Sequence, residues 1–121
     1  PNTNWLVAGG DSSTFGAVAI EVARRAGWGA QSVPATPNSD HFPLIRIGIP
    51  AVFLMPGPAP FDGMTAEASD ALRRYWSRGH QAGDNWYPDF PYGGLVRYAQ
   101  YGYLLGMEAA AGARPTMTRR P

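Results

Sequence analysis

The sequence predicts an α/β fold, a partial three-layer sandwich with a mainly parallel sheet flanked by helices, and three observations carry that expectation. Trp5-Leu6-Val7-Ala8 is a short apolar run that stops at Gly9-Gly10. Val18, Ala19, Val22, Ala23 and Ala26 then recur at the spacing of one helix face. Ala51-Val52-Phe53-Leu54 is an unbroken apolar run, as expected of a strand covered on both faces in a parallel sheet.

Each element has its own local signal. Asp11, Ser12, Ser13 and Thr14 offer N-caps for the first helix, Arg24 and Arg25 suit its C-terminal dipole, and Gly27 stops it. Ala30–Val33 is read as the second strand, which makes strand, helix, strand a βαβ unit. Proline and glycine dominate from Pro56 to Gly63, so that stretch is read as a surface loop or pocket rim. Thr65–Trp76 is predicted helical, with Glu67 and Asp70 early and Arg73 and Arg74 late. A final helix is expected from a cap at Asp89, with Pro91 in its first turn. Leu95, Tyr98, Ala99, Gly102, Leu105 and Ala109 are read as its core stripe and Gly112 as its end. Residues 1–112 are taken as one domain and 113–121 as a basic, disordered tail. A start at Pro1-Asn2-Thr3-Asn4, running directly into a strand, is expected of a piece of a longer polypeptide.

Composition excludes several classes of function. With 121 residues, 45% apolar and 16% charged, the chain has the make-up of a globular domain. Its net charge is +1 and its ten basic residues, all arginine, are scattered, so no nucleic-acid partner is expected. No apolar run approaches the ~20 residues of a membrane span. Cysteine is absent, which removes disulfides, thiolate ligands and a thiol nucleophile. The turn Gly9-Gly10-Asp11-Ser12 lacks G-x-G-x-x-G spacing and a following Gly-Lys-Ser/Thr; a tight turn with a cap is favoured over a phosphate cradle. Tyr92, Tyr98, Tyr101 and Tyr103 are read as core and boundary residues rather than as a stacking platform.

Chemistry concentrates at the two histidines. His41 follows Asp40, and Asp84 lies four residues after His80; a carboxylate beside an imidazole fixes the tautomer of a metal-binding or proton-transferring histidine. A buried structural histidine is the competing reading for each. In parallel α/β sheets, loops beyond the carboxyl ends of strands carry ligand sites, which places the segment after Val33 well.

Ser39-Asp40-His41-Phe42-Pro43 with Gly48-Ile49-Pro50-Ala51, then His80-x-x-x-Asp84, then Pro88-Asp89-Phe90 and Gly94, resembles the C-terminal half of an M28-family zinc aminopeptidase. The resemblance implies a fragment of a zinc-exopeptidase fold from a secreted or periplasmic hydrolase with two zinc ions. In that family a metal-bound water cleaves the first peptide bond of a peptide substrate, with a glutamate as general base. It also implies His80 as a metal ligand, Asp84 as the carboxylate behind it, and Ser39, Asp40 and His41 as a substrate-pocket loop. His41 and Asp40 may be read equally as holding that loop in shape. The remaining ligands and the base belong to H-x-D and Glu-Glu segments in a missing N-terminal half, so no catalytic residue is expected in this chain. Gly79 departs from the family, which usually has a tyrosine there that stabilises the tetrahedral intermediate; Tyr75 and Tyr87 are the candidate substitutes. Two other classes compete: a non-catalytic M28-like binding or structural module, and a self-contained one-metal protein built on Asp40, His41, His80 and Asp84.

Overall fold

A computed structural model describes residues 1–119. The chain order is β1 (Asn4–Ala8), α1 (Thr14–Arg25), β2 (Gly29–Val33), α2 (His41–Arg46), β3 (Phe53–Pro56), α3 (Ala66–Trp76) and α4 (Gly93–Ala111). The expected α/β class stands. The sheet has the order β2-β1-β3, with β1 at its centre. β1 and β2 are parallel, Asn4 opposite Gly29 and Ala8 opposite Val33. β3 runs antiparallel to β1, with Val7 opposite Leu54.

The expectation of a mainly parallel sheet is therefore corrected to a mixed one. An apolar run reports how much of a strand is covered, and it carries no information about direction. Coverage is also less than the run suggests. Leu54 is buried on the same face as Val7, whereas Phe53 and Met55, on the opposite face, are only partly buried.

α1 forms where its signals place it. Ser13 is the N-cap and its hydroxyl accepts the Phe15 N–H at 3.3 Å; Arg24 and Arg25 lie in the last turn, and Gly27 takes the left-handed conformation. Its buried residues are Gly16, Ala19, Val22 and Ala23. Gly16 is required by close approach, because a Cβ there would stand 1.9 Å from the Gly10 carbonyl oxygen. α3 forms over nearly the expected range, with Thr65 as its N-cap rather than its first residue, the hydroxyl accepting the Ala68 N–H at 3.2 Å.

Trp5 lies at the centre of the core, fully buried with Val7, Ala19, Ala23 and Tyr101. Tyr98 and Tyr101 meet the Trp5 ring edge-on at centroid distances of 4.9 and 5.0 Å. The Tyr101 hydroxyl donates to the Ala19 carbonyl at 2.8 Å, so one side chain links α4, α1 and the sheet. Burial pushes its pKa up to about 12. α1 and α4 thus cover one face of the sheet. On the other, α2 packs by its two buried residues, His41 and Ile45, the His41 ring stacking on Phe53.

α4 starts later than expected, at Gly93. Asp89 is not its cap and Pro91 is not in its first turn. Phe90 is held in a turn instead, its N–H donating to the Tyr87 carbonyl and its ring meeting Tyr87 and Tyr92 edge-on. The inward stripe is Tyr98, Tyr101 and Leu105, while Leu95, Ala99 and Gly102 of the expected stripe face outward. Apolar residues surround most of this helix, so periodicity does not single out one face.

The segment expected to be a disordered tail has partners through Arg119. Ser13 and Met117 form an antiparallel bridge, the Thr14 N–H donates to the Thr116 carbonyl at 2.9 Å, and Arg119 pairs with Asp11. The exposed N–H and C=O groups around the start of α1 supply an ordering template that composition does not reveal. Arg120 and Pro121 lie outside the described residues.

Tyr101→Phe removes one hydrogen bond from the Ala19 carbonyl, which keeps its donor within α1, and is expected to cost about 0.5–1.5 kcal/mol. Urea unfolding should show a lower midpoint with an unchanged slope.

Candidate functional site

A concavity with a volume of about 1030 Å³ is walled by β3, the Pro56–Gly63 loop, α3, the 77–91 segment and the start of α4. Phe53, Met55, Phe61, Trp76, Phe90 and Tyr98 give it a mainly apolar, aromatic lining. Loop 56–63 is part of its rim, in line with the sequence reading. Two anchors hold that rim. The Phe61 N–H donates to the Ser69 hydroxyl at 2.9 Å, and Arg73 donates to the Gly57 and Ala59 carbonyls while lying over the Phe61 ring.

His80 lies between the lining residues Gly79 and Gly83 and, like Ser39, Asp40 and His41, is not itself one of the residues that line the cavity. It is solvent-exposed and has φ +67°, the one left-handed non-glycine residue among those described. Histidine tolerates this conformation better than branched residues do. Its N–H donates to the Asp84 carboxylate at 3.4 Å, and the Asp84 N–H donates to the Gln81 carbonyl at 2.9 Å. Asp84 therefore acts on the backbone of His80. The expected role of a carboxylate behind the imidazole becomes, in this geometry, a loop-fixing one.

Gly79 lines the same cavity. A Cβ built there finds its nearest neighbours, the Asp84 Oδ2 and the Trp76 carbonyl, 4.0 Å away, so nothing in the packing demands glycine. Tyr75 and Tyr87 line the cavity as well, where a phenol hydroxyl can reach a ligand.

The 39–41 loop lies elsewhere. Ser39 is half-buried and its carbonyl accepts the Phe42 N–H at 3.1 Å; Asp40 is exposed at the head of α2 and its side chain caps nothing. His41 is only 5% exposed, and neither ring nitrogen has a hydrogen-bond partner. Its ring lies 5.6 Å from that of Phe53, at 28°. A Cβ on Gly9 would meet Ile45 at 2.6 Å and His41 at 3.4 Å, which closes the site from the side of β1. None of Ser39, Asp40 and His41 lines the large cavity. The loop-shaping reading is the one this geometry favours for His41.

Among the described residues, no three His, Asp or Glu side chains come together to hold a metal ion. A zinc site needs at least three protein ligands, and here one exposed imidazole is available. The residues of this chain do not by themselves fit zinc, and the one-metal arrangement of Asp40, His41, His80 and Asp84 is not assembled. No helix among the described residues is long and apolar enough to cross a membrane. No family model, curated protein or solved structure matches the chain.

Sequence reasoning missed the cavity itself. Its signal was the aromatic density of the stretch holding Tyr75, Trp76, Trp86, Tyr87, Phe90 and Tyr92, which exceeds what a solvated loop requires.

Burial holds the His41 pKa below its ordinary 6.5, since a protonated ring would have two buried donors without acceptors. The folded state then binds fewer protons than the unfolded chain as pH falls through 6.5. Stability contributed by neutral His41 is complete above 6.5 and declines as pH drops toward the lowered folded value. Comparing urea midpoints at neutral and mildly acidic pH should show a drop that His41→Phe reduces.

Proposed function

We propose that this chain is the C-terminal portion of a zinc-dependent aminopeptidase of the M28 type, inactive alone, which contributes the substrate-cavity wall and one metal ligand, His80. The supporting observation is an exposed histidine whose turn is fixed by a backbone bond to Asp84, between Gly79 and Gly83 of the cavity lining. The order of motifs from Ser39 to Gly94 gives that placement its chemical reading.

In this reading the remaining zinc ligands and the general base come from polypeptide outside this chain, and the parent enzyme acts outside the cytoplasm on peptides with a free amino terminus. The chain's own residues do the positioning. Asp84 fixes the His80 turn, Arg73 ties the 57–59 backbone to α3, and the aromatic walls exclude water from whatever occupies the cavity.

A second reading, a non-catalytic M28-like binding or structural module, draws support from Gly79. A catalytic relative has reason to keep a hydroxyl donor where this chain has open space. Upstream sequence separates the two, since H-x-D and paired glutamates belong to the peptidase and their lack to the module.

The test uses the longer polypeptide, loaded with zinc and assayed on aminoacyl-arylamides. His80→Ala should abolish cleavage, and Asp84→Ala, which removes the acceptor that fixes the His80 turn, should reduce it while Asp84→Asn, which keeps an acceptor oxygen, reduces it less. Full activity in His80→Ala would reject the assignment. Calorimetric titration of the 121-residue chain alone should reveal no zinc site tighter than micromolar.

A further inference from the structure

α4 carries two apolar seams, and the core uses one. Its inward seam, Tyr98, Tyr101 and Leu105, packs on Trp5 and α1. On the opposite pole Val96, Ala99, Tyr103, Gly106 and Ala110 follow one another at alternating spacings of three and four residues, the spacing of a helix–helix seam. All five are partly or largely open to solvent. Tyr103 is 67% exposed and Val96 55%, with Leu95 at 55% and Met107 at 53% on the flanks.

No charge interrupts this pole. The charged residues of α4 are Arg97 and Glu108, and both are engaged on the inward side: Arg97 with Asp62 and the Asn2 carbonyl, Glu108 with Arg25. A helix apolar around most of its circumference is ordinarily covered on both sides. Extending the sheet would not cover it, because new strands add at the β2 or β3 edge, whereas this pole faces away from the sheet. A lipid surface is the poorer match, since interfacial helices pair an apolar face with a basic one and α4 has no basic face.

We propose that the outward seam of α4 is the interface of a homodimer, two copies pairing antiparallel about a two-fold axis near Leu104 and Leu105. The seam is self-complementary in that arrangement alone. Side by side in parallel, Tyr103 would oppose Tyr103 and Gly106 would oppose Gly106, giving a clash at one level and a void at the next. Antiparallel pairing lays each Tyr103 over the partner copy's glycine, with Ala99 level with Ala110. The notch is open, for a Cβ at Gly106 or at Gly102 meets nothing within 4 Å.

The area suffices. An aromatic side chain buries on the order of 150–250 Å² when fully covered and an aliphatic one somewhat less, so Tyr103, Val96, Leu95 and Met107, each about half to two thirds exposed, offer roughly 400–500 Å² per copy. The pair then buries roughly 800–1,000 Å², the size of a weak, reversible interface. The inference is independent of the peptidase reading, because no residue of the cavity wall other than the flanking Leu95 takes part.

Sedimentation equilibrium of the 121-residue chain from about 5 to 200 μM tests it. The weight-average mass should rise from 13.0 kDa toward twice that value and no further. Tyr103→Glu and Ala99→Arg should each weaken association at least tenfold, with the circular dichroism spectrum unchanged and the melting temperature no longer rising with concentration. Both sites face solvent in the isolated chain, so a folded monomeric variant is the expected product; should one variant unfold, the other decides. A wild-type mass of 13.0 kDa at every concentration would overturn the proposal. So would a dimer that survives both substitutions, open-ended association past two copies, or flotation of the monomer with phosphatidylcholine vesicles.

Discussion

The burial of Trp5 is the interaction on which the fold depends. β1 is the one strand with neighbours on both edges, and Trp5 is the largest side chain it sends into the core. Trp28, Tyr98 and Tyr101 surround the ring, so β1, the α1–β2 connection and α4 meet at a single residue. The indole N–H is buried without a partner, which costs about 1–3 kcal/mol. Burying a ring of 150–250 Å² gains roughly 4–6 kcal/mol at 25 cal/mol/Å², and each edge-to-face pair adds about 0.5–1.5 kcal/mol. Apolar burial outweighs the orphaned donor, and position 5 is the wrong place for a smaller residue.

From that centre the two faces of the sheet diverge. On the Trp5 and Val7 side, α1 and α4 complete a core. On the Leu6 and Met55 side, α2 supplies only His41 and Ile45, over Phe53 and the Gly9 turn. The aromatic residues of the 75–92 stretch therefore line a hollow rather than pack into a second core. Residues competent for chemistry sit on the thinly covered side of the molecule, where backbone is held by a few side-chain anchors such as Arg73 and Asp84.

What the sequence made legible follows the same division. α1 and α3 were readable because caps, dipole charges and a stop residue agree with the apolar spacing, as at Ser13, Arg24, Arg25 and Gly27. β3 was readable as a strand and unreadable in direction, because direction is set by how the connection after Val33 folds, including a short helix with Pro43 inside it that carries no periodic signal. The core face of α4 was ambiguous because its two seams are nearly equal in hydropathy. At the site, proximity of Asp40 to His41 in sequence suggested a working pair, yet one side chain is exposed and the other faces the core. Neighbours in sequence on a helix point about 100° apart, so adjacency alone cannot align a carboxylate with an imidazole.

The two histidines show how one residue type is assigned to different tasks by its surroundings. His41 is enclosed by Phe53, Ile45 and the Gly9 turn, with no acceptor for either ring nitrogen; burial favours its neutral form and makes it a packing element. His80 has water access, and its left-handed backbone is held in a short turn by the Asp84 carboxylate. An αL conformation in a residue other than glycine costs about 1–2 kcal/mol, and a hydrogen bond to a charged acceptor contributes about 1.5–3 kcal/mol when well formed. At 3.4 Å this bond is long and near the bottom of that range. The turn is therefore close to balance, and little free energy separates it from other conformations of the same segment. The packed helix that carries His41 has no such freedom, because its ring is enclosed by Phe53 and Ile45.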